Sequence, residues 1–461
     1  MLWLIIKKEI VRNVLSFRFI VIHTLLLILV FMALFLMGHD YHRLLQEHSA
    51  GVNKERKLLD QIDQIEDPNR QLQEYEQASF SGFRPPIRLS VLVRGLEGHL
   101  PLQVSATAWS MFQSRENLLD RNRLKAVFQT PDFAYVVNII MSLLALLFVF
   151  DAISGEKEQG TLQLLLAQSV PRDLVLGGKW IGGWLSVVGP FSVAVFGGFV
   201  YIYLTGILEV DRALLLGLTS IYGCSLLYIS VCFTLGLFIS TLTHRSSTAL
   251  LIALLVWIVW ILVLPNLAPI VARLMAPVPN AQVIESEKQA LQREGALSIE
   301  RIRVRGSRQR APERIAELQR DIEREQHLLD TFYQDKIRAQ VALTQNLARI
   351  SPSASFLFAV TRLAGTGPQY SQEFHQAWAR LQRDHQQYRQ DLQDQIVWTH
   401  EGRQPKDPDW FSKEEVPRLR LAEESLRDRF SAASFDLLLL VVFNILFFML
   451  CYLFFLRYDA T

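Results

Sequence analysis

Apolar residues in this chain come in long unbroken blocks that alternate with strongly charged stretches. A helix needs about 20 apolar residues to cross a hydrocarbon core. The blocks at 19–38, 133–151, 180–204, 213–240, 248–265 and 433–456 meet that length or come close to it. Buried core helices of a soluble protein are rarely this long and this poor in charge, so the pattern predicts six transmembrane helices. The fifth block runs into Pro265, which predicts a stop there. The first block is followed by Gly38-His39-Asp40-Tyr41, with no small-x-small site, and reads as a retained span rather than a cleaved leader.

Ahead of the first span, Trp3, Ile6, Ile10 and Val14 recur at three- and four-residue intervals, while Lys7, Lys8, Arg12 and Asn13 fall mostly elsewhere on the wheel. Residues 1–18 therefore predict a basic amphipathic interfacial helix, with simple extension of the first span as the plainer reading. Two long charged segments remain, 39–132 and 266–432. The first is helical from Tyr41 to Gln77 with a break near Asp67-Pro68-Asn69, and after Pro85-Pro86 the stretch Ile87 to Val93 reads as a short strand. The second carries two long amphipathic helices, Glu313 to Ile350 and Glu373 to Val397, which predict an antiparallel hairpin. Both segments keep periodic apolar residues, so they predict one folded, mainly helical domain beside the membrane.

Short loops set the orientation. Lys7, Lys8, Arg12 and Arg18 precede the first span; Lys157, Arg172 and Lys179 lie between the second and third; His244 and Arg245 lie between the fourth and fifth; Arg457 follows the sixth. With six spans these segments share one side, which predicts cytoplasmic termini and extracytoplasmic long segments. On the other side, Arg212 is offset by Glu209 and Asp211.

Composition agrees: half of the 461 residues are apolar and charged residues make up 20%. Cys224, Cys232 and Cys451 all lie in predicted spans, which excludes a disulfide-stapled external domain and leaves them as packing residues. There is no G-x-x-x-x-G-K-[ST], H-E-x-x-H, C-x-x-C or G-x-S-x-G motif, so nucleotide, metalloenzyme and serine-hydrolase readings have no support. His23 and Asn138 lie inside spans, where helix–helix hydrogen bonding is the plainer role. Arg301, Arg303, Arg305, Arg308, Arg310 and Arg314 form a basic run suited to a solvated loop, anionic lipid or an acidic partner. It lacks interleaved aromatics and predicts no nucleic-acid binding.

The informative stretch is residues 152–179, between the second and third spans. It contains Ser154, Gly155, Glu156, Lys157, Glu158, Gln159, Gly160, Thr161 and Leu162, then an apolar run, then Pro171 and Arg172. Ser154 reads as an N-cap, and Glu156 and Glu158 suit the positive end of a helix dipole. Gly160 permits a bend and Pro171 ends the second half. The result is a short helical hairpin, charged and partly apolar, that needs a partner surface.

An SGEKEQGTL-type segment followed by Pro171-Arg172 and Gly178-Lys179 resembles the ABC-2 family of ABC transporter permeases, as do the amphipathic start, the six spans and the basic loop at His244-Arg245. Pro85 to Leu92, Ile350 to Ser355 and Leu363 to Gly367 look like a bacterial subgroup with large external insertions. The resemblance implies that 154–172 is a coupling helix against a separate cytoplasmic ATPase subunit, which binds ATP and Mg while this chain holds no cofactor and catalyses nothing. It further implies a bacterial inner-membrane setting and a second permease copy or homologous permease, alongside lipid and a periplasmic partner. The size of the external segments leaves two other readings open. One is a mechanotransmitter that moves its external domain without passing solute; the other is a membrane-anchored scaffold.

Overall fold

The computed structural model describes residues 2–107, 113–114, 132–167, 171–305, 311–399, 402–407, 410–422 and 424–457; Arg308 and Arg310 of the basic run lie outside them. Among the described residues the fold is mainly helical, with six helices long and apolar enough to cross a membrane. The expected all-α membrane architecture is what the chain adopts.

Helix α1 (Leu2–Val14) is separate from α2 (Phe17–Asp63), because Ser16 breaks between them and its hydroxyl accepts from Phe19 N at 3.2 Å. The first span does not end where its apolar block ends. α2 runs 47 residues without interruption, so one rigid rod carries the span into the charged segment. Asp67 then caps α3 (Pro68–Gln77) through Asn69 N. The second span, α4, enters at Phe133–Tyr135, passes a π-turn at Val136–Met141 and continues through Ser142–Val149. Two short helices follow, α5 (Ser154–Glu158) and α6 (Thr161–Leu166). The third span is α7 (Arg172–Leu204), so residues 172–179 of the predicted loop are already helix. The fourth span is α8 (Arg212–Leu242).

The fifth span, α9 (Ser246–Met275), does not stop at Pro265. A π-turn at Val259–Val263 shifts the register just before it, and Pro265 opens the next helical stretch, where its missing N–H costs nothing. Residues 256–354 form a compact unit of their own, including α10 (Ala281–Arg305) and α11 (Ala311–Ala348). These two are the antiparallel hairpin: Lys288 pairs with Asp330, and Gly295 lies against Ile322. Within this unit α11 takes α10 as its hairpin partner, whereas the later helix α13 (Pro368–Gln395) belongs to the other unit.

That unit includes α12 (Pro352–Ala364) from Ser355 onward, α13 and the last span, α14 (Leu426–Leu456). α12 is 13 residues long, too short to span. Its Phe356 stacks on Tyr228 at 4.5 Å, halfway along α8. This part of the segment 266–432 therefore lies alongside the spans rather than beyond them. Its apolar run was simply too short to announce that.

The expected strand at Ile87–Val93 is a 3-10 turn, Arg88–Val91. Ser90 Oγ donates to Ile87 O at 2.7 Å and closes the turn just after Pro85-Pro86. The strands lie on either side: β1 (Ser79–Phe83) pairs antiparallel with β2 (Gln103–Thr107), and β3 (Gln113–Ser114) adds to β2. A two-stranded ladder, β4 (Ile396–Thr399) with β5 (Gly402–Pro405), follows α13. The end of α2, α3, β1 and α13 share one core of Leu59, Ile62, Leu72, Tyr75, Phe80, Tyr388 and Leu392, sealed by Trp410 and Phe411. Each such side chain contributes about 1.5–3 kcal/mol on burial. We call this region the loop domain.

Candidate functional site

The loop after the second span is held by the ends of other helices. Ser154 is not its own helix's cap. Its hydroxyl donates back to Phe150 O at 2.8 Å, and the position before the helix, Ile153, offers no side-chain cap. The orphan N–H groups of Ile153 and Ser154 instead donate to Ser240 Oγ, at 3.0 and 2.9 Å. A serine from the last turn of α8 thus does the work expected of a local residue.

Lys157 and Glu158 extend the same attachment. Lys157 Nζ donates to Thr241 O, and to Thr243 O at 3.3 Å, the carbonyls at the negative end of the α8 dipole. Glu158 Oε2 accepts from Ser246 N at 3.0 Å, at the positive start of α9. Two neighbouring side chains of opposite charge therefore hold the end of one span and the beginning of the next.

Glu156 faces a different partner. Its Oε1 accepts from Lys179 Nζ at 2.6 Å and lies 3.4 Å from Arg12 Nη1. Lys179 also donates to Glu9 Oε1 at 3.2 Å and Ala152 O at 3.1 Å, and Arg12 returns to Glu9 at 2.5 Å. Two acids and two bases make a neutral quartet linking α1, α5 and α7. The Lys179 and Glu9 side chains are only 2% and 7% exposed. Burial of these charges is tolerable because each finds an opposite charge within hydrogen-bond reach. Gly178 and Gly182 let α1 come this close: a Cβ at Gly182 would stand 2.8 Å from Glu9 Cβ. α1 is therefore packed along α7, and its outer face leaves Trp3, Leu4 and Val11 exposed.

Gly160 turns the chain with φ 72° in the left-handed region, which suits glycine. Beyond it Leu162 is fully buried, while Glu158, Gln159, Thr161 and Gln163 are exposed and Leu164 is 70% exposed. Pro171 precedes α7 and is exposed; Arg172 donates to Leu456 O at 2.8 Å, at the C-terminal end of α14. The predicted residues thus divide. Ser154, Glu156, Lys157, Leu162 and Arg172 face into the protein, and Glu158, Gln159, Thr161 and Pro171 line its outer side. Sequence reasoning missed Glu9, Lys179, Ser240 and Ser246 as parts of this site. A polar or charged residue on an otherwise apolar helix was the available signal for Lys179 and Ser240.

Among the described residues no group of three or more His, Cys, Asp or Glu side chains could hold a metal, and the three cysteines are buried and unbridged. His23 Nδ1 lies 2.6 Å from Phe19 O, and Tyr228 Oη donates to Asn138 O at 3.2 Å.

A loop clasped by the ends of four apolar spans, under a helical loop domain, defines a multi-pass membrane protein. Residues 3–460 match the family described as ABC-2 family transporter protein, and the chain belongs to that family. Part of it is similar to the probable ABC transporter permease protein NosY of Pseudomonas aeruginosa, 35% identical over 128 residues, covering 28% of this chain and 46% of that protein. The corresponding NosY of Stutzerimonas stutzeri is 42% identical over 66 residues, covering 14% and 22%. The chain thus spans less than half the length of these curated relatives.

Proposed function

We propose that this chain is the transmembrane permease subunit of an ABC transporter, and that a separate cytoplasmic ATPase docks on the exposed side chains of residues 158–164 and Pro171. The observation that carries this reading is an exposed polar ridge with Leu164 at its centre, on a loop anchored to α1, α7, α8, α9 and α14. Anything pressing on that ridge pushes on the ends of several spans at once. Membership of the ABC-2 family supports the assignment. The ATP and Mg chemistry belongs to the docked subunit. The cations of the short loops support cytoplasmic termini and an inner-membrane setting. Apolar surface left exposed along the first, fifth and sixth spans supports pairing with a second copy or a homologous permease, the rest meeting lipid.

The test is co-purification with the ATPase encoded beside this chain, using Gln159→Lys and Leu164→Asp. Both positions are exposed, so neither substitution disturbs the buried contacts. Loss of association with unchanged thermal stability supports docking here; association that ignores both substitutions overturns it.

A second reading has a specific observation behind it. α2 is one 47-residue helix from the first span into the loop domain core at Leu59 and Ile62. Such a rod delivers motion as readily as it frames a path, so the output of ATP hydrolysis can be movement of the loop domain, without solute export.

A further inference from the structure

β1 and β2 are neighbours in one ladder, yet the chain between them leaves the sheet and returns. Its neck is closed where Phe83 pairs with Gln103 and Arg84 N donates to Leu102 O at 2.9 Å. Inside the neck lies a buried ion pair. Arg84 Nη1 reaches Glu97 Oε1 at 3.0 Å and Tyr370 Oη at 3.3 Å, while Nη2 reaches Glu97 O and Nε reaches Pro101 O. Both charged side chains are 3% exposed, and Glu97 Oε1 also accepts from Ile87 N at 2.9 Å. The excursion is therefore a strap braced internally by this ion pair.

The strap stands on the starts of two spans. Asp211 caps α8 by accepting from Leu214 N at 2.7 Å through Oδ1, and its Oδ2 pairs with Arg88 at 2.8 Å. Asp132 caps α4 by accepting from Tyr135 N at 2.7 Å through Oδ1, and its Oδ2 accepts from Arg94 N at 2.9 Å. Each capping carboxylate gives one oxygen to its own span and the other to the strap. Arg94 also pairs with Asp40 on α2 at 3.3 Å. Leu89 is seated over Gly217 of α8, where an added Cβ would lie 2.7 Å from Leu89 Cδ1. On the far side, Leu96 N donates to Thr366 O at 2.9 Å, and Gly95, at φ 49°, packs so tightly there that a Cβ would stand 2.5 Å from that oxygen.

We propose that residues 84–99 are the joint through which displacement of the second and fourth spans is delivered to the β1–β2 sheet of the loop domain, with Arg88, Leu89 and Arg94 as its positioning residues. A shift of either span start drags a capping aspartate, the aspartate drags the strap, and the closed neck transfers the shift to the sheet. This goes beyond the permease assignment and holds whether or not solute crosses the membrane.

The test uses the full chain in lipid nanodiscs, without any ATPase, so its failure leaves the permease reading standing. Gly217→Val pushes on Leu89 at the strap's seat on α8. Gly223→Val, six residues along the same helix with nothing within 4 Å of its Cβ, is the control. Amide hydrogen exchange is read at Ser79–Phe83 and Gln103–Thr107. Gly217→Val is expected to speed exchange there roughly tenfold while the control matches wild type. Equal rates in both variants overturn the proposal. Should Gly217→Val not fold, Arg88→Ala removes a half-exposed contact that folding tolerates, with an expected rise of roughly threefold, restored by Arg88→Lys. No rise in Arg88→Ala, or no recovery in Arg88→Lys, also overturns it.

Discussion

Lys179 places its ammonium 2.6 Å from the Glu156 carboxylate, inside a protein wall where its own side chain is 2% exposed. Glu9 and Arg12 complete the group, so the N-terminal helix, the loop and the third span are joined by charge rather than by apolar packing alone. Removing Lys179 leaves two carboxylates sharing the single cation of Arg12, so the group carries an uncompensated charge. Lys179→Met is expected to destabilise the protein by about 3–5 kcal/mol, as breaking a buried pair does. Thermal unfolding in nanodiscs reads this, and an unchanged transition would show that the quartet carries no stability.

Ser240 offers a second measurement. Its hydroxyl oxygen is the acceptor for two buried backbone N–H groups. Ser240→Ala strands both and should cost about 1–3 kcal/mol per unsatisfied donor. Exchange at Ile153 and Ser154 should rise first, while α13 keeps its wild-type rates.

Gly160 separates conformation from space. Nothing lies within 4 Å of a Cβ built there, so Gly160→Ala meets no clash, only its φ of 72°. The expected cost is about 1–2 kcal/mol from the left-handed backbone alone. A neutral effect would mean the turn re-forms with negative φ.

The loop domain has its own pH dependence. Burial, then a hydrogen bond to Glu424 and that residue's charge, push the Glu373 carboxyl up to about 7 from an ordinary 4.5, against the pull of Arg429. Between those values the folded chain keeps a proton that the unfolded chain has released. Stability therefore falls as pH rises through this window. Glu373→Gln should flatten the dependence between pH 5 and 8, an effect read by unfolding at each pH.

Arg84 completes the set. Its guanidinium is almost wholly buried against Glu97, and Arg84→Ala leaves that carboxylate without its cation. A loss of about 3–5 kcal/mol is expected, with the β1–β2 amides losing protection before the span amides do.

Much of this could be read from residue order. The span positions followed from apolar run length, and Gly160 and Pro171 marked the turns around the loop because φ > 0 and a missing N–H are local properties. The role of Ser154 was misread, because the residue that satisfies the helix start stands 86 positions away. The strand expected at Ile87–Val93 failed for a related reason. Leu89, Val91, Leu92 and Val93 are all buried, on both parities, so their pattern carried no alternation with which to distinguish strand from turn.

The sequence by itself determined that six stretches must lie in a membrane, since backbone polar groups there can be satisfied only within a helix and the required length is set by the bilayer. It also determined the turn chemistry of the loop. Only the tertiary structure decided that Glu156 faces inward to Lys179 and Glu9 while Glu158 caps the fifth span, and that Arg88 and Arg94 reach the aspartates at two span starts. Charge pairing depends on distances of about 3 Å in space, and a chain that crosses the membrane repeatedly brings together residues whose separation along it says nothing about that distance.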